Sequence, residues 1–173
     1  YHYQLGNLLY CTRERQGKPR ETIYQIWADD TMRAKLIADT RKRNRGGSAA
    51  NNIFEAYRIN TGSIVMFKAT TAKYLYRKYG AKSVLDPTAG WGGRMLGAWS
   101  LGLDYTGIDT NIDMKPAYDG MIEFLNNEID SNSHLLEQRK PRLNLLWSSC
   151  MDVDFSAIDY DFVLTSPPYI NME

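Results

Sequence analysis

The feature that most constrains the fold of this chain is an apolar run that ends in an acid, a proline and a glycine-rich turn. Residues 84–93 read Val-Leu-Asp-Pro-Thr-Ala-Gly-Trp-Gly-Gly, and residues 94–101 have the pattern of a helix. A strand, a glycine-rich turn and a helix in this order are typical of folds that hold nucleotide-like cofactors at the edge of a parallel sheet. An ordinary strand–helix turn is the alternative, because glycines alone are a weak signal.

An acid at the end of the next apolar run strengthens the cofactor interpretation. Asp109 closes residues 105–109 and lies 23 residues after Asp86. An acid about 20 residues beyond the glycine turn, at the end of the following strand, can accept hydrogen bonds from both ribose hydroxyls. The spacing therefore predicts a ribose contact at Asp109.

Strands and helices are predicted to alternate through the second half of the chain. The strands are residues 83–86, 105–109, 143–147 and 162–164, and helices are expected before, between and after the first two. Helical spacing is carried by Ala72, Leu75, Tyr76 and Tyr79, with Gly80 as the cap, and by Tyr118, Met121, Ile122, Leu125 and Ile129. This alternation predicts an α/β fold with a Rossmann-like, doubly wound parallel sheet. We expect the sheet to be truncated after its fourth strand.

A second motif follows the fourth predicted strand, where residues 166–169 read Ser-Pro-Pro-Tyr. A rigid surface turn would explain this motif alone. Together, the two motifs resemble those of class I S-adenosylmethionine-dependent DNA amino-methyltransferases. Residues 86–92 match the Asp-Pro-x-x-Gly-x-Gly cofactor loop of that family, and residues 166–169 match its Asp/Asn/Ser-Pro-Pro-Tyr catalytic motif. The resemblance covers roughly the second half of the chain, from the region of Phe67 onward.

The resemblance implies a role for each matching residue. Ser166 and the Pro167 carbonyl would accept the hydrogens of the target amino group, Pro168 would help to stiffen the turn, and Tyr169 would stack on the target base. S-adenosylmethionine would bind at the glycine turn, with Asp86 toward the methionyl ammonium, Asp109 on the ribose and Asp152 on the adenine amino group. The implied cofactor residues are Phe67, Asp86, Pro87, Gly90, Gly92, Asp109, Thr110 and Asp152.

The first 50 residues differ from the rest in their basic clusters. Arg41, Lys42, Arg43 and Arg45 run into glycines and are candidates to contact nucleic-acid phosphates, although a solvated helix face is an equal alternative. Between this run and the other basic cluster, which lies at residues 13–20, apolar residues are predicted to line one face of a single helix: Ile23, Trp27, Ala34 and Ile37. A short helix at 51–57 and an extended segment at 63–67 should follow. The predicted organisation is a basic extension at 1–50 and a methyltransferase domain at 51–173 that is incomplete at its C-terminus.

Bulk properties restrict the class of protein further. No apolar run approaches the roughly 20 residues of a membrane span, and no signal-peptide pattern begins the chain, so we expect a soluble protein of the cytoplasm or nucleoid. Two cysteines make no disulfide framework, and two histidines have no metal-ligand spacing, so no metal is expected. The net charge of +1 carries no information about nucleic acid.

The sequence therefore predicts methyl transfer from S-adenosylmethionine to the exocyclic amino group of cytosine (N4) or adenine (N6) in DNA, as in restriction–modification systems. Serine at the first position of the catalytic motif leans toward cytosine. Two alternatives stay open: an RNA base methyltransferase, and a non-catalytic cofactor- or nucleic-acid-binding subunit that retains the fold. A partner chain that completes the sheet or recognises the target is also expected.

Overall fold

A computed structural model describes residues 3–11, 14–15, 18–42, 48–61, 66–131 and 139–166. Within these ranges the chain forms two compact units. One contains residues 66–166 together with residues 3 and 4, and the other contains residues 5–61.

The larger unit is built on four parallel strands. They are β3 (Ser83–Asp86), β4 (Asp104–Asp109), β5 (Leu143–Trp147) and β6 (Phe162–Val163). The spatial order is β5-β4-β3-β6, with Val84 opposite both Tyr105 and Phe162. The chain thus steps outward from β3 to β5 and returns to the other side of β3 as β6. The predicted Rossmann-like parallel sheet is confirmed, and its topological switch point lies between β3 and β6.

Helices flank this sheet, and their residues at the predicted helical spacing are buried or half-buried except Tyr79, which is 62% exposed. They are α5 (Ala69–Tyr79), α6 (Gly93–Trp99) and α7 (Lys115–Ser131), with short 3-10 turns at Ile112–Met114, Cys150–Asp152 and Phe155–Ala157. Gly80 ends α5 with a φ of 70°, as predicted from its position. Helix α6 packs closely on α5, since a Cβ added at Gly97 would lie 2.7 Å from the Ala72 Cβ.

The predicted bounds of the strands in this unit and of helix α6 lie within two residues of those in the structure. Helix α6 stops at Trp99, because residues 100–102 form a turn in which Gly102 has a φ of 68°. Strand β6 ends at Val163, one residue before the predicted end. Residues 63–65 of the predicted extended segment lie outside the described residues.

The smaller unit is mainly helical. It contains α1 (Leu5–Tyr10), a two-residue antiparallel pair β1 (Glu14–Arg15) and β2 (Lys18–Pro19), and then α2 (Ile23–Ala28), α3 (Asp30–Lys42) and α4 (Ala49–Thr61). Among its described side chains, those that form a buried core are Ile26, Leu36, Ala56 and Tyr57.

The prediction of one helix through Ile23 and Ile37 is wrong. Asp29 interrupts it in an extended conformation (φ −91°, ψ 120°), and its carboxylate accepts a 2.8 Å hydrogen bond from the Met32 N–H. The carboxylate thereby caps the first turn of α3, which is a common role for aspartate. Trp27 is 49% exposed and does not line the core. Helix α4 is longer than the predicted 51–57, so the division predicted at residue 50 falls inside it.

Candidate functional site

The glycine turn and Ser166, the first residue of the second motif, lie at the switch point of the sheet. The glycine turn follows β3 and the Ser166 segment follows β6, so both lie at the carboxyl ends of neighbouring strands. The hydroxyls of Thr88 and Thr165 share a hydrogen bond of 2.7 Å across this gap. Two segments 77 residues apart in sequence are therefore held against each other where α/β folds usually bind ligands.

Asp109 lies beside the glycine turn, at the end of β4. One carboxylate oxygen accepts from the Gly90 N–H at 2.8 Å, and the other accepts from the Asn111 N–H at 2.9 Å. The side chain is half-buried. A carboxylate has about four lone-pair positions, so it can accept further hydrogen bonds beyond these two. The structure thus brings together Asp109 and Gly90, two residues that the sequence assigned to one ligand.

The glycines of the turn are required for different reasons. Gly90 and Gly92 have φ values of 56° and 83°, a backbone conformation that residues other than glycine rarely adopt. A Cβ at Gly92 would lie 2.9 Å from Met121 Cε, whereas a Cβ at Gly90 would meet nothing closer than 3.8 Å. A Cβ would therefore fit at Gly90 at ordinary contact distance, and it is the positive φ that requires glycine there.

Gly93 was not singled out by the sequence analysis, yet it is the most constrained residue of the turn. A Cβ there would lie 1.9 Å from the carbonyl oxygen of Phe67. The Phe67 ring also covers the Arg94 guanidinium, with the Arg94 Cζ 5.2 Å from the ring centroid. Phe67 therefore packs against the glycine turn.

Asp86 lies beneath the turn and not on its surface. The side chain has no exposed area, and Oδ2 accepts from Arg94 Nε and from the Tyr105 hydroxyl, each at 2.6 Å. Arg94 Nη2 also donates to the Thr88 carbonyl. Burial raises the pKa of the Asp86 carboxyl, while the hydrogen bonds from Arg94 and Tyr105 oppose that shift. Asp86 therefore stabilises the glycine turn through Arg94.

Arg94 is the residue of this network that sequence reasoning missed. It follows the glycines directly and could be taken for an exposed start of α6, yet it is 4% exposed. Tyr118 adds a further support, since its hydroxyl donates to the Gly90 carbonyl at 2.8 Å. Burial raises the pKa of the Tyr118 phenol, so it remains a donor at neutral pH. No local feature of the sequence marks Arg94 as buried.

The other predicted cofactor residues lie around the same edge of the sheet. Pro87 is half-buried within the turn, and Thr110 is exposed directly after β4. Asp152 is exposed in the 3-10 turn that follows β5. Each of these residues therefore follows a different strand of the set β3, β4 and β5.

The predicted catalytic and phosphate-contacting residues are described only in part. Ser166 is exposed and directly follows Thr165. Pro167, Pro168 and Tyr169 lie outside the described residues, as do Arg43 and Arg45. Arg41 and Lys42 are exposed in the last turn of α3.

No protein-family model, curated protein or solved structure matches the chain. Among the helices that the structure describes, none is both long enough and apolar enough to cross a membrane. Within the described ranges, no three His, Cys, Asp or Glu side chains converge as metal ligands. Functional conclusions therefore depend on the geometry of the site and on its motifs.

Proposed function

We propose that this protein transfers the methyl group of S-adenosylmethionine to the exocyclic amino group of cytosine or adenine in DNA. The observation that carries the proposal is the contact between Thr88 and Thr165, which joins the glycine turn to the Ser166 segment beside Asp109. A cofactor turn and a catalytic loop that belong to one reaction must lie together, because donor and acceptor have to be held in line.

The side chains fit the proposed cofactor. Ribose hydroxyls need acceptors, and the half-buried carboxylate of Asp109 supplies them, already oriented by the Gly90 and Asn111 N–H groups. Glycine at position 90 has no Cβ that would keep a ligand from its backbone. Asp152 and Thr110 would contact the adenine, while Asp86 and Arg94 keep the turn in shape from below. When bound, S-adenosylmethionine supplies an electrophilic methyl group on a sulfonium.

The amino group to be methylated needs help from acceptors. The lone pair of an exocyclic amine is delocalised into the base, so hydrogen bonds to its hydrogens favour a pyramidal, nucleophilic nitrogen. The hydroxyl of Ser166 is proposed to accept one of these hydrogens, and by motif the Pro167 carbonyl accepts the other. Tyr169 is proposed to stack on the base, which has to leave the helix to reach the site.

DNA is the proposed polymer, with the reaction located in the cytoplasm or nucleoid. Arg41, Lys42, Arg43 and Arg45 are proposed to contact phosphates. If they do, neutralising Arg41 and Lys42 should flatten the dependence of DNA affinity on salt concentration. An unchanged slope would remove these residues from the DNA-contacting surface.

The proposal is tested with purified protein in two stages. Calorimetric titration should show binding of S-adenosylmethionine and S-adenosylhomocysteine, with NAD and ATP as comparison nucleotides. Incubation with S-adenosylmethionine carrying an isotopically labelled methyl group should then label unmethylated DNA. Binding of NAD or ATP in preference to both sulfur-containing ligands would contradict the cofactor assignment. Binding without labelling of DNA would contradict the reaction.

A further inference from the structure

Helix α5 and the residues that flank it carry basic side chains and no acidic ones. Residues 66–85 contain five basic side chains and no Asp or Glu: Lys68, Lys73, Arg77, Lys78 and Lys82. The whole chain has a net charge of only +1, so positive charge is concentrated here. A local basic surface on a nearly neutral protein is a feature that attracts polyanions.

Two exposed tyrosines lie among these cations. Helix α5 buries Ala72 and Tyr76, whereas Tyr74 and Tyr79 are each 62% exposed. The Lys78 ammonium lies 5.9 Å from the centroid of the Tyr74 ring and 5.4 Å from that of Tyr79. Lys78 therefore lies near both aromatic rings. We term the set Tyr74, Arg77, Lys78, Tyr79 and Lys82 the α5 face.

The surrounding contacts fix one of the two rings. Tyr79 stacks on Phe162 of β6, with ring centroids 5.9 Å apart and an interplanar angle of 25°. An acid, Asp161, lies beside Lys82. Its carboxylate accepts hydrogen bonds from the backbone N–H groups of Lys82 and Ser83, each at 3.0 Å. Asp161 thereby joins β6 to the start of β3, and its carboxylate also attracts the Lys82 ammonium.

Aromatic rings and cations on one face match the chemistry of an unpaired nucleic-acid strand. Cations bind its phosphates, and its bases, which are not enclosed in a duplex, can stack on exposed rings. A duplex would use the cations but leave the rings without a partner. We propose that the α5 face binds single-stranded nucleic acid, with phosphates on Arg77, Lys78 and Lys82 and a base stacked on Tyr74.

Binding of nucleic acid by the α5 face is a separate property from the proposed methyl transfer. It depends on charge and ring exposure along α5 and not on the glycine turn or on Ser166. Binding is therefore expected without S-adenosylmethionine, and it would stand even if methyl transfer failed.

The test measures fluorescence anisotropy of a labelled 20-nucleotide oligothymidylate over a range of salt concentrations, without cofactor. A double variant, Arg77→Gln with Lys78→Gln, should reduce the slope of log affinity against log salt by about 1.4, since each phosphate contact with a single strand contributes about 0.7. The matched control is Lys115→Gln with Lys140→Gln. It removes the same charge from the same unit, where the two ammonium groups pair with Asp119 and Asp130, and should leave the slope unchanged.

Tyr74 separates base stacking from simple charge attraction. Tyr74→Ala should weaken binding about 10-fold with no change in slope, whereas Tyr74→Phe keeps the ring and should bind as the parent does. Melting temperatures close to the parent value would show that these exposed substitutions leave the fold intact. Oligouridylate of equal length identifies the preferred polymer, and a preference for either strand supports the proposal.

Two results would overturn the inference. Equal slope changes in the α5 double variant and in the Lys115/Lys140 control would mean that α5 has no specific contact with phosphates. Full affinity in Tyr74→Ala, together with tighter binding of the matching duplex than of the single strand, would mean that no base stacks on this face.

Discussion

The carboxylate of Asp109 accepts a hydrogen bond of 2.8 Å from the Gly90 N–H, and this bond joins the end of β4 to the glycine turn after β3. Both residues lie at the carboxyl edge of the sheet, Asp109 at the end of β4 and Gly90 in the turn after the neighbouring strand β3. The carboxylate is therefore oriented by the fold itself. Pre-orientation of this kind reduces the entropy that a ligand must lose on binding.

Replacing Asp109 by alanine should weaken the binding of S-adenosylmethionine. The expected loss is about 1–3 kcal/mol, because partly buried hydroxyl contacts would go unmade. Calorimetric titration measures it, and Asp113→Ala, an exposed acid in the next turn, is the matched control. Unchanged affinity in the Asp109 variant would rule out its ribose contact.

Replacing Ser166 by alanine should separate binding from transfer. Ser166 is exposed on the segment after β6, so the substitution should leave cofactor affinity as it is. Methyl transfer should slow on the order of 10²-fold, because the target amine loses one of the groups that orient it. Single-turnover kinetics with saturating cofactor measure this rate. Equal losses of binding and rate would instead mean that Ser166 has a structural role.

Much of this fold is encoded locally, whereas several details of the site depend on tertiary contacts. Strands β3, β4 and β5 are short apolar runs bounded by turn residues, and their bounds are predicted to within one residue. The position of Asp109 follows from its spacing. Asp29 was missed because its capping role competes with a weak helical periodicity.

The buried pair of Asp86 and Arg94 could not be predicted from spacing. A strand-end acid beside a glycine turn can point to a ligand or into the core, and only packing decides between these. Likewise, Gly93 is required by the Phe67 carbonyl, a contact across 26 residues of sequence. Such constraints come from the approach of two elements and have no local signature.

Two glycines of the turn, Gly93 and Gly90, should lose different amounts of stability when replaced by alanine. Gly93→Ala places a Cβ 1.9 Å from the Phe67 carbonyl and should destabilise the protein by about 3 kcal/mol, at the upper end of overpacking effects. Gly90→Ala has space but a φ of 56°, so backbone strain of about 1–2 kcal/mol is expected. Urea unfolding compares the two. A larger loss at Gly90 would contradict the packing of Phe67 on the turn.

Replacing Arg94 by methionine should destabilise the fold strongly. The substitution leaves Asp86 buried with the loss of its charged partner, which typically costs about 3–5 kcal/mol. Adding Asp86→Asn should recover part of that loss, because the uncompensated carboxylate is then gone. Chemical denaturation of the two single variants and the double variant gives the coupling. Additive effects would mean that the pair does not interact as the structure describes.

Asp104 should make stability depend on acid pH. Burial alone raises the pKa of its carboxyl, but hydrogen bonds from Arg142 and Arg139 outweigh burial and hold the pKa below its ordinary value. A lowered pKa means that the stabilisation is present above about pH 4 and is lost as the pH falls through the folded-state value. Asp104→Asn should therefore cost about 1 kcal/mol at neutral pH, since both arginines are largely exposed.

Denaturation at a series of pH values checks this prediction. The difference in unfolding free energy between the parent and Asp104→Asn should shrink toward zero as the pH falls below about 4. Asp119→Asn, which removes an exposed pair with Lys115, is the control and should show little difference at any pH. A constant difference for Asp104→Asn across the range would show that its ionised form is not what stabilises the fold.

The most direct test of the central claim is a mass-spectrometric census of methylated nucleosides. The protein and its Ser166→Ala variant are expressed in a host that lacks its own DNA methylases, and the DNA and RNA are digested separately. We expect N4-methylcytosine or N6-methyladenine in the DNA of the host that expresses the parent protein, and its loss in the host that expresses the variant. A new methylated nucleoside in RNA alone, equal methylation by both proteins, or no new nucleoside in DNA would contradict this expectation.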